Sequence, residues 1–356
     1  MDPNDIQRWL NPDWRDRLEA WWEGYDLGHL YVQAKEAKAM RAARWELKPT
    51  PRRLETAAAT AEPPPAVLID DAPPAFVEAN EDIEARQLEG LDIDRRGKPV
   101  WSVEQVRGAQ MLWGDGFVGP GDAQFMVDAV RPFGLNPAKS VLDCSAGLGG
   151  AARAIVGAYD TWVTALEPSP LLAKLGMRRS EALDLGRKAP VMPYDPESFN
   201  PAGSYDLVLA DRILHRVRDK GPYLDHLCEC VKPKGSALLM DYVIDGAPAS
   251  WDSWNAWKDT EPLELYPWTA QRMKDELVQR NMDVRIVEDI TAKLRRLIVE
   301  RVRWLADALQ NATLGTTVVD KGLMAGLARE LQLWWARLKV LGHGLRYYRF
   351  VALKPA

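Results

Sequence analysis

From residue 101 onward the chain alternates between two rhythms of apolar positions. Short continuous apolar runs read as buried strands, and apolar residues recurring every three or four positions read as amphipathic helices. The strands fall at about 140–143, 162–166, 190–193, 205–210 and 236–242, with helices between them at about 149–158, 169–185 and 221–231. Two further helices, about 103–112 and 122–130, precede the first strand and are parted by the turn Trp113-Gly-Asp-Gly-Phe-Val-Gly-Pro-Gly121. After the fifth strand come an irregular Trp-rich segment, a helix at about 269–280, a strand at about 283–288 and two long amphipathic helices. The chain closes on an aromatic strand, Leu345-Arg-Tyr-Tyr-Arg-Phe-Val-Ala352. Strand and helix in alternation predict an α/β fold around a mostly parallel sheet.

Ahead of residue 101 the pattern is different. Residues 1–48 read as helical: Asn11-Pro12 places proline at a first helical position, and Trp14, Leu18, Trp21, Trp22 and Tyr25 recur at helical spacing. This segment is expected to pack on the main domain, or else to dock a protein partner or a second copy, because so many tryptophans need a surface to cover. Residues 49–100 read as a linker. Its first half, to Pro74, is rich in Pro, Ala, Thr and acid, and its second half is acidic with a short helix. The domain proper is expected at 101–356.

Chemistry concentrates where the first strand ends, in Ser140-Val-Leu-Asp-Cys-Ser-Ala-Gly-Leu-Gly-Gly150. A strand ending in Asp143, a glycine turn opening a small-residue helix, and a second strand ending in Glu167 lay out a nucleoside-binding crevice. Gly147-Leu-Gly-Gly-Ala-Ala152 formally fits a dinucleotide fingerprint, in which the helix N-terminus holds a pyrophosphate. Asp143 argues instead for S-adenosylmethionine, a ligand without phosphate whose sulfonium and α-amino group suit a carboxylate beside the turn. The glycines Gly147 and Gly149 then serve close backbone approach, and Glu167 takes the two ribose hydroxyls in either case. The glycine run leaves the two nearly even. The remainder of the chain, which shows no second glycine fingerprint, favours S-adenosylmethionine.

Composition adds limits. The chain has 356 residues, a formal net charge of −5 and an ordinary apolar content of 47%, so no nucleic-acid groove is indicated. The start, Met1-Asp-Pro-Asn-Asp, is unlike a signal peptide, and no apolar run reaches membrane-spanning length. Cys144, Cys228 and Cys230 make no disulfide framework, and the pair Cys228 and Cys230 is expected to pack in a core, with no metal bound. A cytoplasmic, reduced protein is the expectation.

On these residues the chain resembles the class I S-adenosylmethionine-dependent methyltransferases, and more narrowly the phosphoethanolamine N-methyltransferase group. The likeness runs from about Trp101 to Lys354. Besides the cofactor loop, with Ser145 where the family usually has glycine, it rests on the turn Trp113–Gly121, on Asp211-Arg-Ile-Leu-His215 and on Leu239-Met-Asp-Tyr242. The resemblance implies a Rossmann-like, seven-stranded α/β sheet whose last strand inserts antiparallel, and S-adenosylmethionine as cofactor. It places Val118 and Gly119 over the methionine end of the cofactor, and Asp211, His215 and Tyr242 in acceptor handling. Asp195, in Pro193-Tyr-Asp-Pro196, is expected either to meet the adenine amino group or to serve as a turn residue.

Methyl transfer to an amine requires that the amine first lose a proton, and His215 has a suitable ordinary pKa. Asp211, four residues earlier, shares its direction if the segment is helical, and is expected to hold an ammonium or to orient His215. Two positions depart from the family: Trp101 stands where a catalytic tyrosine is expected, and Thr260-Glu-Pro-Leu-Glu-Leu-Tyr266 lacks the phosphate-binding arginine. Arg337 is the matching basic position on the last helix, and Tyr266 a substitute for the missing tyrosine. Trp251, Trp254 and Trp257 share a face if helical and, with Glu261 and Glu264, could cover a cationic amine; more simply, they form a lid packed on the core or an interface. The expected function is methyl transfer to a small molecule, foremost an amine nitrogen. The alternatives are an O- or C-methyltransferase of a specialised metabolite, or a methyltransferase-fold scaffold that binds a partner through residues 1–48.

Overall fold

The structure is a computed structural model that describes residues 33–35, 37, 85–246, 252–313 and 320–356. The helical reading of 1–48 lies outside the described residues except for 33–35 and 37, which are helical. The Pro-rich stretch 49–74 and Trp251 also lie outside them. The chain divides into two compact units, Met1–Ala75 and Phe76–Ala356. The second holds everything that follows.

It opens on helix α1, Val103–Trp113, and helix α2, Ala123–Val130. Strand β1 is Ser140–Asp143, followed by α3, Gly150–Tyr159, and β2, Trp162–Glu167. Next come α4, Pro170–Ala182, β3, Val191–Pro193, β4, Tyr205–Asp211, and α5, Lys220–Glu229. Then β5, Val231–Ile244, leads to α6, Asp252–Thr260, α7, Ala270–Gln279, and β6, Asp283–Asp289. The long helices α8, Thr291–Thr313, and α9, Lys321–Val340, precede β7, Leu345–Leu353. The sheet has seven strands in the order β3-β2-β1-β4-β5-β7-β6. Strands β1 to β5 pair in parallel, and β7 inserts antiparallel between β5 and β6. This is the Rossmann-like arrangement expected.

The parallel strands are buried on both faces, which explains their continuous apolar runs. On one face Leu142, Val208, Leu239 and Phe350 pack with Leu224 and Leu227 of α5 and Leu277 of α7. Beside the cofactor loop, Leu148 packs with Val103 and Val106 of α1 and Leu171 and Leu172 of α4. Strand β5 begins earlier than its apolar run suggests. Val231 pairs with Tyr205, the chain bulges through Pro233 and Gly235, and pairing resumes at Ser236 with Leu207. A bulge absorbs breaker residues that would otherwise end a strand. The Trp-rich segment is likewise no irregular loop: α6 buries Trp254 and Trp257 against α9.

Residues 85–100, placed in the linker on sequence, belong to the domain unit. Residues 85–89 are helical, Ala85 and Val100 are buried, and Ile93 bridges to Pro99. Arg95 donates to the Lys258 carbonyl at 2.5 Å and Arg96 to that of Asp259, tying the segment to α6. The weak hydrophobic pattern hid this, because the segment is held largely by hydrogen bonds.

Candidate active site

The cradle is built where β1 and β2 end. Asp143 is 2% exposed, and its Oδ1 accepts from the N–H of Ser145 at 3.0 Å and its hydroxyl at 3.1 Å. Gly147 and Gly149 both have positive φ, +55° and +76°, as a turn this tight requires. The Gly147 N–H donates to Glu167 Oε2 at 2.7 Å, and the Ser169 N–H to Glu167 Oε1 at 2.9 Å. Burial pushes the Glu167 carboxyl up to about 7, against those two hydrogen bonds. It pushes Asp143 up to about 6, with nearby Asp211 adding to the rise. Ionised carboxylate oxygens accept more than one hydrogen bond, so each Glu167 oxygen keeps capacity for a ligand.

These ends open into a cavity of about 640 Å³, within the range of small-molecule sites. Val118 and Gly119 form part of its wall, held down by the Gly150 N–H donating to the Gly116 carbonyl at 3.0 Å. A second cavity of about 60 Å³ shares Val118, Gly119, Ser145, Gly147, Asp211 and Arg212 with the first and is also lined by Asp143.

The far end of the main cavity is polar. Arg337 pairs with Glu261 through Nε at 2.6 Å and Nη2 at 3.0 Å, and Arg216 Nη2 lies 3.5 Å from the same carboxylate. Trp257 Nε1 donates to Glu261 at 2.6 Å. Burial works against the charge on Glu261, yet Arg337 and then Arg216 hold its pKa down at about 2. Gln105 Nε2 donates to Glu330 Oε1 at 2.5 Å, and Trp334 Nε1 to Glu330 Oε2 at 3.2 Å. Tyr242 Oη, Arg216 Nε and Gln105 Oε1 are buried on residues that line the cavity and have no hydrogen-bond partner. Such orphans are costly unless a ligand or water meets them.

The cavity brings together Val118, Gly119, Ser145, Gly147, Glu167, Asp195, Asp211, Trp101, Tyr242 and Arg337 of the expected site. Asp143 reaches the smaller cavity. Asp195 lines the wall and also caps the turn Pro196–Ser198, accepting from the Glu197 N–H at 3.0 Å and the Ser198 hydroxyl at 2.9 Å. The turn role is the one its hydrogen bonds display. Gly149 lines neither cavity; it is the N-cap of α3, and a Cβ there would stand 2.8 Å from Val191 Cγ2.

His215 is buried and lines neither cavity. Its Nδ1 lies 2.6 Å from Asp241 Oδ1, its backbone N–H donates to Asp241 Oδ2 at 3.1 Å, and its ring meets that of Tyr242 edge-on at 4.9 Å. Burial lowers its pKa, opposed by Asp241. The orienting carboxylate is therefore Asp241, not Asp211. Asp211 ends a strand, so helical spacing does not apply. Its Oδ2 accepts from Arg212 Nε at 3.0 Å and Nη2 at 2.6 Å, and its Oδ1 from the Tyr347 hydroxyl.

Trp254 and Tyr266 do not reach the cavity. Trp254 packs edge-on against Trp257 at 5.0 Å. The Tyr266 hydroxyl donates to Glu264, and its N–H to the His215 carbonyl at 2.6 Å. With Glu261 paired with arginines and Glu264 bound to Tyr266, the described part of this segment takes the simpler of its two expected forms, Trp254 and Trp257 packed on α9. Arg337 arrives as expected, but already paired. Sequence reasoning missed Gln105, Arg212, Arg216, Asp241, Glu330 and Tyr347. Only Arg212 and Asp241, inside the motifs at the ends of β4 and β5, and Arg216, next to the first of them, carried a signal. The three cysteines are free and buried, and no metal-ligating cluster is found among the described residues. No described helix is long and apolar enough to cross a membrane.

Residues 122–285 match the family model described as a methyltransferase domain. Over 134 residues the chain is 26% identical to phosphoethanolamine N-methyltransferase 1 of Arabidopsis thaliana, covering 37% of this chain and 27% of that one. Over 156 residues it is 27% identical to the ubiquinone/menaquinone biosynthesis C-methyltransferase UbiE of Laribacter hongkongensis, covering 42% and 58%. The chain thus spans less than two thirds of either relative. A solved structure of phosphoethanolamine N-methyltransferase 2 of Haemonchus contortus, in complex with S-adenosyl-L-methionine, superposes with a TM-score of 0.60 at 16% identity, over 70% of this chain and 57% of that one. Sheet order, the glycine cradle and the methyltransferase domain matched over residues 122–285 agree in supporting a class I, S-adenosylmethionine-dependent methyltransferase.

Proposed function

We propose that this chain methylates a small-molecule acceptor, with S-adenosylmethionine as donor and an amine nitrogen as the nucleophile its curated N-methyltransferase relatives favour. The observation that carries the reading is Glu167, a buried carboxylate on the cavity wall with one backbone N–H on each oxygen and capacity left for two adjacent hydroxyls. Glu167 would hold the ribose, Asp195 the adenine amino group, and Ser145, Gly147, Val118 and Gly119 would enclose the remainder, with Gly149 shaping the turn from behind. The cofactor supplies a methyl group already activated by a sulfonium. The protein's share is to align the nucleophile and exclude water.

At the acceptor end Tyr242 is the group that touches the acceptor, and His215 acts behind it. With Nδ1 facing the Asp241 carboxylate, a neutral His215 ring carries its proton there and keeps a lone pair on Nε2, which has no other partner. Because His215 does not line the cavity, the proton an amine loses would pass to the Tyr242 hydroxyl as that hydroxyl gives its own proton to Nε2. Trp101 and Arg337 complete the wall.

A second reading, transfer to oxygen or carbon, has its own observation. Asp211 is engaged by Arg212 and Tyr347, so it offers no free carboxylate to an ammonium. Calorimetry with S-adenosylhomocysteine tests the donor site: wild type should bind, and Glu167→Gln should bind about tenfold more weakly, a loss of about 1.4 kcal/mol. Wild type that ignores the ligand would end the reading. A panel of ethanolamine-type amines against phenols and enols, read by mass spectrometry for the added methyl group, decides between nitrogen and the alternatives.

A further inference from the structure

The three unmet polar atoms on the wall of the main cavity, Gln105 Oε1, Tyr242 Oη and Arg216 Nε, come from distant parts of the chain. They arrive from α1, from β5 and from the turn Leu214–Arg216 that follows β4. Gln105 and Tyr242 are each only 2% exposed. Groups buried this deeply are costly to leave unpaired, so together they describe what a bound molecule must bring.

Gln105 gives Nε2 to Glu330 Oε1 at 2.5 Å, which leaves its oxygen asking for an N–H or O–H. Arg216 asks for the opposite. Glu261 is held by Nε and Nη2 of Arg337 and by Trp257 Nε1, so Arg216 reaches it only through Nη2 at 3.5 Å. Nε, the other donor on that edge of the guanidinium, is unspent. Two guanidinium groups against the Glu261 carboxylate leave a surplus of one positive charge here. The other acids at this end keep the surplus small: Asp92 and Glu330 also line the cavity, and burial raises the pKa of both carboxyls. A monoanion matches a single surplus charge. A dianion would bring a second negative charge up to Glu261, Glu330 and Asp92. Trp101, Leu333 and Trp334 supply apolar surface on the same wall.

We propose that the acceptor carries a carboxylate seated on Arg216, on an apolar body whose N–H or O–H meets Gln105 Oε1, and that the site takes such a carboxylate in preference to a phosphate ester. This rests on the methyltransferase reading above, and it leaves Tyr242 Oη for the group that receives the methyl. Arg216 is then a specificity residue: its guanidinium binds the acceptor and takes no part in the transfer.

The probes are small amines matched in threes, a carboxylate, its carboxamide and the corresponding phosphate ester, on benzyl and alkyl skeletons. Each is incubated with the full chain and S-adenosylmethionine and read by mass spectrometry for the added methyl group. The carboxylates should lead both counterparts in kcat/KM by at least about tenfold, with the methyl placed off the carboxylate. Arg216→Gln should erase that lead by raising the KM of the carboxylates at least about tenfold, with the carboxamides left within about threefold. Arg216 also helps to ionise Glu167, so the donor site is checked at about pH 9, where Glu167 is ionised in either protein. There the affinity for S-adenosylhomocysteine should stay within about threefold. Arg216→Lys keeps the charge but loses the fork; it should give an intermediate KM, and it covers the case in which Arg216→Gln fails to fold. Carboxamides or phosphate esters that serve as well as carboxylates overturn the proposal. So does a preference that survives both Arg216 variants, and so does wild type that binds S-adenosylhomocysteine but methylates no carboxylate. Wild type that does not bind S-adenosylhomocysteine overturns the methyltransferase reading itself.

Discussion

Glu167 is the residue whose chemistry most constrains the site. It is 7% exposed and faces no bonded cation; two backbone N–H groups are its partners. Burial raises its pKa to about 7, well above the unfolded carboxylate range. The folded, ligand-free chain thus holds this proton more tightly than the unfolded chain. The resulting stability is whole below about pH 4 and is lost as pH rises through about 7. A ribose diol donates hydrogen bonds and so favours the ionised form. Affinity for S-adenosylhomocysteine should therefore fall as pH drops below 7, approaching about tenfold per unit. Binding at pH 6 should release a proton, seen as a difference in calorimetric heat between buffers of unlike ionisation enthalpy. In Glu167→Gln both effects should shrink to the share of Asp143, whose carboxyl burial pushes up to about 6. Asp241 is the second residue with a definite prediction. Asp241→Asn keeps the shape but presents an amide to His215 Nδ1, which favours the other tautomer. Turnover should fall by roughly a hundredfold or more with S-adenosylhomocysteine affinity unchanged, and the ring nitrogen shifts of His215 should report the exchanged proton.

At the scale of elements, α1 and α9 cross at close range. A Cβ on Gly326 would lie 1.9 Å from the Glu104 carbonyl oxygen, and one on Gly108 2.4 Å from the Leu327 nitrogen. Backbone meets backbone here, so no flexible side chain can yield. Gly326→Ala should cost about 3 kcal/mol in denaturant unfolding. It should also shift the wall that carries Gln105, Glu330 and Trp334, raising the KM for the acceptor while the affinity for S-adenosylhomocysteine, whose cradle is on β1 and β2, stays put. This crossing was not legible in the sequence, since a glycine inside a helical pattern gives no partner. The strands were legible, because buried parallel strands read as unbroken apolar runs: β1 is where the run 140–143 placed it, and β4 extends its run by one residue to Asp211. Helix α4 stops at Ala182, short of the expected 185, where the chain turns through Asp184 at φ +58°. The alternation of elements predicted the mostly parallel sheet and the family resemblance its antiparallel last strand; the bulge in β5 was not legible, because Pro233 and Gly235 read as a strand boundary.

Across the whole molecule, legibility follows sequence distance. The donor cradle comes from two successive strand ends, and Asp143, Ser145, Gly147 and Glu167 could be read from one short stretch. The acceptor end is assembled from α1, β5, α6, α9 and their loops. Glu261 and Arg337 are 76 positions apart, and Gln105 and Glu330 are 225 apart. Glu261, seen alone, reads as a free acid that would repel a phosphate. Paired with Arg337 and Arg216 it is part of a wall with more positive charge than negative at that point. Every residue that lines either cavity lies between Leu91 and Arg337, inside the unit Phe76–Ala356. A chain of residues 76–356 should therefore unfold in one cooperative transition and bind S-adenosylhomocysteine within about twofold of the full chain. At one hundred times its dissociation constant the ligand should add about 2.7 kcal/mol of stability, read as a rise in Tm. That rise should shrink in Glu167→Ala. A fragment that folds but does not bind would place an essential part of the donor site in residues 1–75, and the cradle at the ends of β1 and β2 would then be incomplete by itself.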